Sequence, residues 1–227
     1  MISKIILIAL FVSSMMLMSF NSEKKKKILF FGDSITQFGE LPGGYIKLVD
    51  SLIQSEGLSE KYETIGGGVS GNKVTDLYLR IEEDVLAKHP DIVVIFVGVN
   101  DVWHKQSSGT GTDYDKFGKF YQAIVRKLQA ANIKVIICTP AVIGEKTDFS
   151  NQLDGDLNNY TNWMRSFAAK NSLPLIDLRK LFLAYNLQNN KENKESGILT
   201  RDRVHLNGRG NELVAEEMWK AVRAVEK

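Results

Sequence analysis

A single cysteine in 227 residues excludes an intrachain disulfide, and Cys138 lies in the apolar run Val135-Ile136-Ile137-Cys138, where a buried strand thiol is expected. Histidine is nearly as scarce. The three present do not group with cysteine or carboxylates at metal-ligand spacing, so neither a metal nor another cofactor is expected. Large net charge is missing too: the formal value is +2, and four lysines sit in Lys24-Lys25-Lys26-Lys27. The rest of the chain is close to neutral and carries no electrostatic footprint for nucleic acid. No Gly-x-x-x-x-Gly-Lys-[Ser/Thr] loop occurs, which removes support for nucleoside triphosphate chemistry. Internal repeats are absent, and the one polar, biased stretch, Asn186 to Ser196, reads as a surface loop.

Long apolar runs are confined to the N-terminus, where Lys4 precedes Ile5 to Val12, two serines follow, and Met15 to Met18 come before polarity returns at Asn21. This reads as a signal peptide, too short to span a bilayer comfortably. The expected organisation is a signal peptide over 1–22, a basic linker over 23–27 and one globular domain over 28–227, exported to the periplasm or beyond. No Ala-x-Ala site marks the cut and the four lysines oppose the usual orientation, so an uncleaved anchor is the alternative, and only then would the chain contact a membrane. No cysteine follows the apolar stretch to take a lipid.

What remains is 44% apolar over the whole chain, enough for one good core. From residue 27 short apolar runs, Ile28–Phe31, Tyr62–Ile65, Ile92–Val97, Val135–Cys138 and Leu175–Ile176, alternate with segments whose apolar residues fall at helical spacing. The helical stripes are Ile46-Val49-Leu52-Ile53, Val74-Leu77-Ile81-Val85, Phe117-Phe120-Ile124-Leu128, the segment Leu157 to Ala169, and Leu213-Val214-Met218-Val222. Strict alternation of strand and helix predicts an α/β fold with a parallel sheet covered on both faces. Ligands in such sheets bind beyond the carboxyl ends of the strands.

Four polar segments fall at such places: Gly32-Asp33-Ser34, Gly66-Gly67-Gly68-Val69-Ser70-Gly71-Asn72, Gly98-Val99-Asn100-Asp101 and Asp202-Arg203-Val204-His205. Any one of the first three alone is an ordinary strand-to-helix turn, since glycine supplies unusual φ and Ser, Asp or Asn caps helices. Together they hold more. A serine is inert at neutral pH until a base takes its proton, and the base works best when an acid fixes its tautomer. Backbone N–H groups of a glycine turn and a neutral amide are the donors that a developing oxyanion needs. Ser34, His205, Asp202, Gly71 and Asn100 are residues of those kinds.

These four blocks, in this order, resemble the SGNH or GDSL hydrolases over roughly residues 27 to 225. The resemblance implies a three-layer α/β/α sandwich with a central parallel sheet of about five strands in the flavodoxin-like arrangement. It also implies roles: Ser34 as nucleophile, His205 as general base, Asp202 as its orienter, and an oxyanion hole made of Ser34 N–H, Gly71 N–H and the Asn100 amide. One departure is Gly66, where the family often has Asn. The implied activity is hydrolysis of carboxylic esters on a small molecule or glycan, with short acyl groups on carbohydrate favoured over lysophospholipase or thioesterase substrates. Asp33, Tyr45, Trp103 and His104 are candidate pocket residues, along with Leu41 to Gly44 and the loop after Pro140.

Rival readings exist within the chain. Gly66-x-Gly68-x-x-Gly71 matches the dinucleotide fingerprint, but the next strand ends at Asp101, 30 residues past Gly71 where that fingerprint expects an acid about 20 on, and a complete βα unit precedes it. Asp101-Val102-Trp103-His104 is a second Asp-x-x-His, and Ser70 a second serine beside glycine. His89 ends a helix, where its charge suits the dipole, and is assigned no function. The Gly-x-Ser-x-Gly elbow of α/β-hydrolases is absent. A catalytically silent carbohydrate-binding module would require a broken site, and every catalytic position is filled.

Overall fold

Strands rich in Ile, Val and Phe form one sheet: β1 (Lys26–Gly32), β2 (Tyr62–Gly68), β3 (Ile92–Phe96), β4 (Lys134–Cys138) and β5 (Leu175–Ile176). The computed structural model describes residues 24–226, so the expected signal peptide lies outside the described residues. All pairings are parallel, in the order β2-β1-β3-β4-β5. All five residues of β3, in the middle of the sheet, are buried, as a strand covered on both faces requires.

Parallel neighbours need crossovers, and these are helices. They are α1 (Ser34–Gly39), α2 (Tyr45–Ser55), α3 (Val74–Asp84), α4 (Val99–Ser107), α5 (Tyr114–Ala130), α6 (Asp154–Lys170), α7 (Leu178–Asn189) and α8 (Gly208–Val225). Right-handed crossovers fix their faces. The chain steps one way from β1 to β2 and the other way from β2 through β3, β4 and β5, which sends α2 to one face and α3, α5 and α6 to the other. The packing agrees: α2 lies against α8, while α3 touches α5 and α5 touches α6. The result is the expected three-layer, flavodoxin-like sandwich, with its switch of direction between β1 and β3.

Two local expectations are corrected. Gly66, Gly67 and Gly68 belong to β2 instead of a loop after it. α1 crosses the strand so closely that a Cβ on Gly68 would overlap the Gln37 backbone nitrogen. A Cβ on Gly66 would overlap the Glu40 carboxyl group, so Glu40 fills the volume beside the position where the family often has Asn. The polar stretch from Asn186 is also not all surface loop. Asn186 is buried in α7, and Asn190 is buried with its amide donating to Glu145 O and Lys194 O, both at 2.8 Å.

Candidate active site

β1 ends at Gly32 and turns directly into α1. A Cβ on Gly32 would overlap Thr36 Oγ1 and the Phe96 carbonyl oxygen, so only glycine lets strand and helix meet this closely. Asp33 caps α1, its Oδ1 accepting from Ile35 N at 2.9 Å. Ser34 therefore opens the helix with its N–H free of any intrahelical acceptor. Its Oγ lies 2.9 Å from His205 Nε2.

His205 arrives from the other end of the chain. Asp202 Oδ1 accepts from Val204 N at 3.2 Å and His205 N at 2.8 Å, closing a tight turn with Arg203 at φ 83°. Asp202 Oδ2 lies 2.8 Å from His205 Nδ1, which completes a hydrogen-bonded chain from serine through imidazole to carboxylate. Burial raises the Asp202 carboxyl, but the hydrogen bonds from His205 outweigh it and hold the group below its ordinary value. The Phe38 ring packs on His205 at 5.1 Å between centroids, and the Arg201 guanidinium sits 4.8 Å from that ring.

A second layer fixes this turn. The buried Glu145 accepts from Ile198 N at 2.9 Å, Leu199 N at 2.6 Å and Thr200 N at 2.9 Å, just before a bridge between Thr200 and Leu206. Nothing in the sequence around Glu145 signals this role, because its three partners lie more than 50 residues downstream.

The other two blocks meet at the same edge of the sheet. Gly71, at φ 78°, turns the chain from β2 toward α3, and Gln37 Oε1 accepts from Ser70 N at 3.0 Å and from the Ser70 hydroxyl. Ser70, the rival serine, is thus bonded to an amide and not to an imidazole. Asn100 is buried in the first turn of α4, and its Nδ2 donates to Asn72 O at 3.1 Å. An amide nitrogen carries two donors, which leaves one for the site.

Asp101 does not form a second acid–imidazole pair. Its carboxylate accepts from Val74 N at 3.1 Å and 3.2 Å, and burial pushes it up to about 6 against the pull of Thr112 and Val74. His104 instead stands beside Gly71, its Cε1 4.0 Å from where a Gly71 Cβ would be. Burial first, and the nearby Lys73 second, lower its pKa and favour the neutral ring. Trp103 is half-buried next to it, 5.9 Å between ring centroids.

Two expected pocket residues are corrected. Tyr45 is completely buried, edge-on to Phe30 at 5.6 Å and Phe96 at 6.3 Å, with its hydroxyl donating to Thr36 Oγ1; it is a core residue that no substrate can touch. Asp33 is 1% exposed and spent on its cap. Burial, eased by the Ile35 N–H and reinforced by Asp101, pushes its carboxyl up to about 7. Among the described residues no cluster of three or more His, Cys, Asp or Glu side chains is placed to hold a metal ion.

With the sheet order and four blocks at one edge in place, comparison with known proteins settles the class. Residues 30–213 match the GDSL-like lipase/acylhydrolase family, and the chain belongs to that family of ester-hydrolysing serine hydrolases. Its relatives narrow the neighbourhood. It is 29% identical to an acetylxylan esterase of Geobacillus stearothermophilus over 215 residues, 87% of this chain and 94% of that one. It is 26% identical to an isoamyl acetate-hydrolyzing esterase 1 homolog of Rattus norvegicus over 85% of this chain and 80% of that one. The crystal structure of the acetyl xylan esterase AlAXEase superposes with a TM-score of 0.85 at 64% identity, covering 86% of this chain and 99% of the other.

Proposed function

We propose that this protein is a serine esterase that removes short acyl groups, acetyl above all, from carbohydrate esters such as acetylated xylan. The observation that carries the reading is the unbroken chain Ser34 Oγ, His205, Asp202, at 2.9 and 2.8 Å. Such a chain lets the imidazole take the serine proton while the carboxylate orients it and balances the charge that forms. Asp202, held below its ordinary pKa, is negative whenever that is needed.

In this reading Ser34 Oγ attacks the ester carbonyl carbon as its proton passes to His205 Nε2. The carbonyl oxygen becomes an oxyanion that accepts from Ser34 N–H, Gly71 N–H and the free N–H of Asn100. Collapse breaks the bond to the alcohol oxygen, which leaves with the proton from His205. Water, deprotonated by His205, then attacks the acyl-serine, and the carboxylic acid departs with Ser34 restored. Trp103 and the neutral His104, beside the Gly71 donor, are proposed as walls of the acyl pocket.

The names of the relatives support acetyl as the acyl group and a xylan chain as the alcohol. A polysaccharide cannot enter a cell, so the apolar segment over 1–22 supports export of the enzyme to where its substrate is. The test is the hydrolysis of p-nitrophenyl esters from acetyl to palmitoyl, with acetate release from acetylated xylan, by the full chain and by Ser34→Ala. Rates highest on acetyl, falling with chain length and absent in the variant, are expected. A maximum on palmitoyl would replace the acetyl reading with a long-chain acylhydrolase, and activity surviving in Ser34→Ala would remove Ser34 as nucleophile.

A further inference from the structure

Arg80 is a half-buried side chain on α3 that touches neither Ser34, His205 nor Asp202, yet it hydrogen-bonds to three segments of the site. Its Nη2 donates to Gly32 O at 2.8 Å and to Gly67 O at 2.9 Å, joining the carboxyl ends of β1 and β2. Its Nε donates to Asn72 Oδ1 at 2.6 Å, and its Nη1 to Asp84 Oδ2 at 2.6 Å. The guanidinium carbon lies 4.6 Å from the centre of the Phe31 ring, which fixes its remaining face.

We propose that Arg80 is a positioning residue for the oxyanion site, setting all three donors relative to one another; this rests on the reading of Ser34, Gly71 and Asn100 as those donors. Gly32 is two residues before Ser34, so its carbonyl fixes where α1 begins. Gly67 and Asn72 bracket Gly71, whose positive φ gives the loop no helix or strand of its own to hold it. Asn72 also accepts from Asn100 Nδ2, which decides which of the two amide hydrogens is free to face substrate. Each donor thus lies within two residues of, or one hydrogen bond from, a residue held by a single planar cation. Only a guanidinium can serve all four acceptors at once, since an ammonium presents a point charge without the fork.

The geometry predicts a loss in turnover, not in binding, because the donors act where charge develops. The test is steady-state hydrolysis of p-nitrophenyl acetate by the full chain and by Arg80→Met, Arg80→Lys, Asn72→Ala, Asn100→Ala and the Arg80→Met/Asn100→Ala double variant, with thermal unfolding of each. Asn100→Ala is expected to lower kcat by roughly 10²–10³. Arg80→Met is expected to lower kcat by about 10², the scale of a 1 Å misplacement, with KM little changed and no rescue by lysine. In the Asn100→Ala background the same substitution should lose less, because one of the three donors it aims is already gone. Equal factors in both backgrounds, a loss confined to KM, or full kcat in folded Arg80→Met would overturn the proposal. Full activity in Asn100→Ala would overturn the oxyanion reading itself, and the Arg80 proposal with it. If Arg80→Met does not fold, Asn72→Ala on its half-buried loop carries the same comparison: non-additivity with Asn100→Ala supports the proposal and additivity refutes it.

Discussion

Replacing Asp33 by Asn should change how the stability of this protein depends on pH. Asp33 is buried beneath the first turn of α1, and its carboxyl is pushed from 3.8 up to about 7, chiefly by burial. A raised folded-state value means that the folded chain holds a proton that the unfolded chain has released. The stabilising contribution is therefore complete below the unfolded value near 4 and is lost as pH rises through about 7. The difference of about 3 pH units, at 1.36 kcal/mol each, corresponds to about 4 kcal/mol. Asn keeps an oxygen to accept from Ile35 N and cannot ionise, so it leaves the cap and removes the titration. The assay is urea unfolding of both proteins at intervals from pH 4 to pH 8. Stability of the variant minus that of wild type should climb through this window and level off above it, while the constant offset between the two proteins carries no information. Asp101, pushed up to about 6 and coupled to Asp33, remains in both proteins, so the slope is read from the difference. A difference that stays flat between pH 5 and 8 would show that Asp33 is ionised throughout, and that burial does not govern it.

Asp202→Asn should leave the fold intact and lower kcat by up to about 10⁴, because an amide no longer selects the imidazole tautomer that can take the serine proton; near-normal turnover would separate Asp202 from the mechanism. Glu145→Ala strands three backbone donors, two of them buried, and should destabilise by about 3 kcal/mol while lowering kcat on p-nitrophenyl acetate, and unfolding within 0.5 kcal/mol of wild type would contradict the anchoring role. Gly68→Ala forces α1 away from β2 and should cost about 1–3 kcal/mol by thermal denaturation; an unshifted midpoint would deny that close approach.

The parts of this molecule that the sequence shows plainly are those governed by local pattern. β3 is apolar at every position because both of its faces are covered, and α2, α3, α5 and α8 carry stripes that repeat with the helical turn. α7 escapes such a reading because its buried face mixes Leu178 and Phe182 with Arg179 and Asn186, which blurs the period. The glycines at 66–68 look like a loop, since glycine is poor in strands; they are in β2 because a helix crosses there, and that crossing is a tertiary fact. That Ser34, Gly71, Asn100, Asp202 and His205 gather at one edge of the sheet was legible through their blocks. Glu145 and Arg80 were not, for their partners are carbonyls and amides that any sequence supplies. Tyr45 misleads for the opposite reason: a tyrosine after Pro-Gly-Gly suggests a surface turn, yet its ring is drawn between Phe30 and Phe96.

The bond between Ser34 and His205 spans 171 positions of the chain. The chain must therefore be synthesised through residue 205 before the two can meet, and folds rich in contacts of such long range form slowly. In the proposed mechanism turnover waits on that contact, and the return of esterase activity after dilution from denaturant would time its formation.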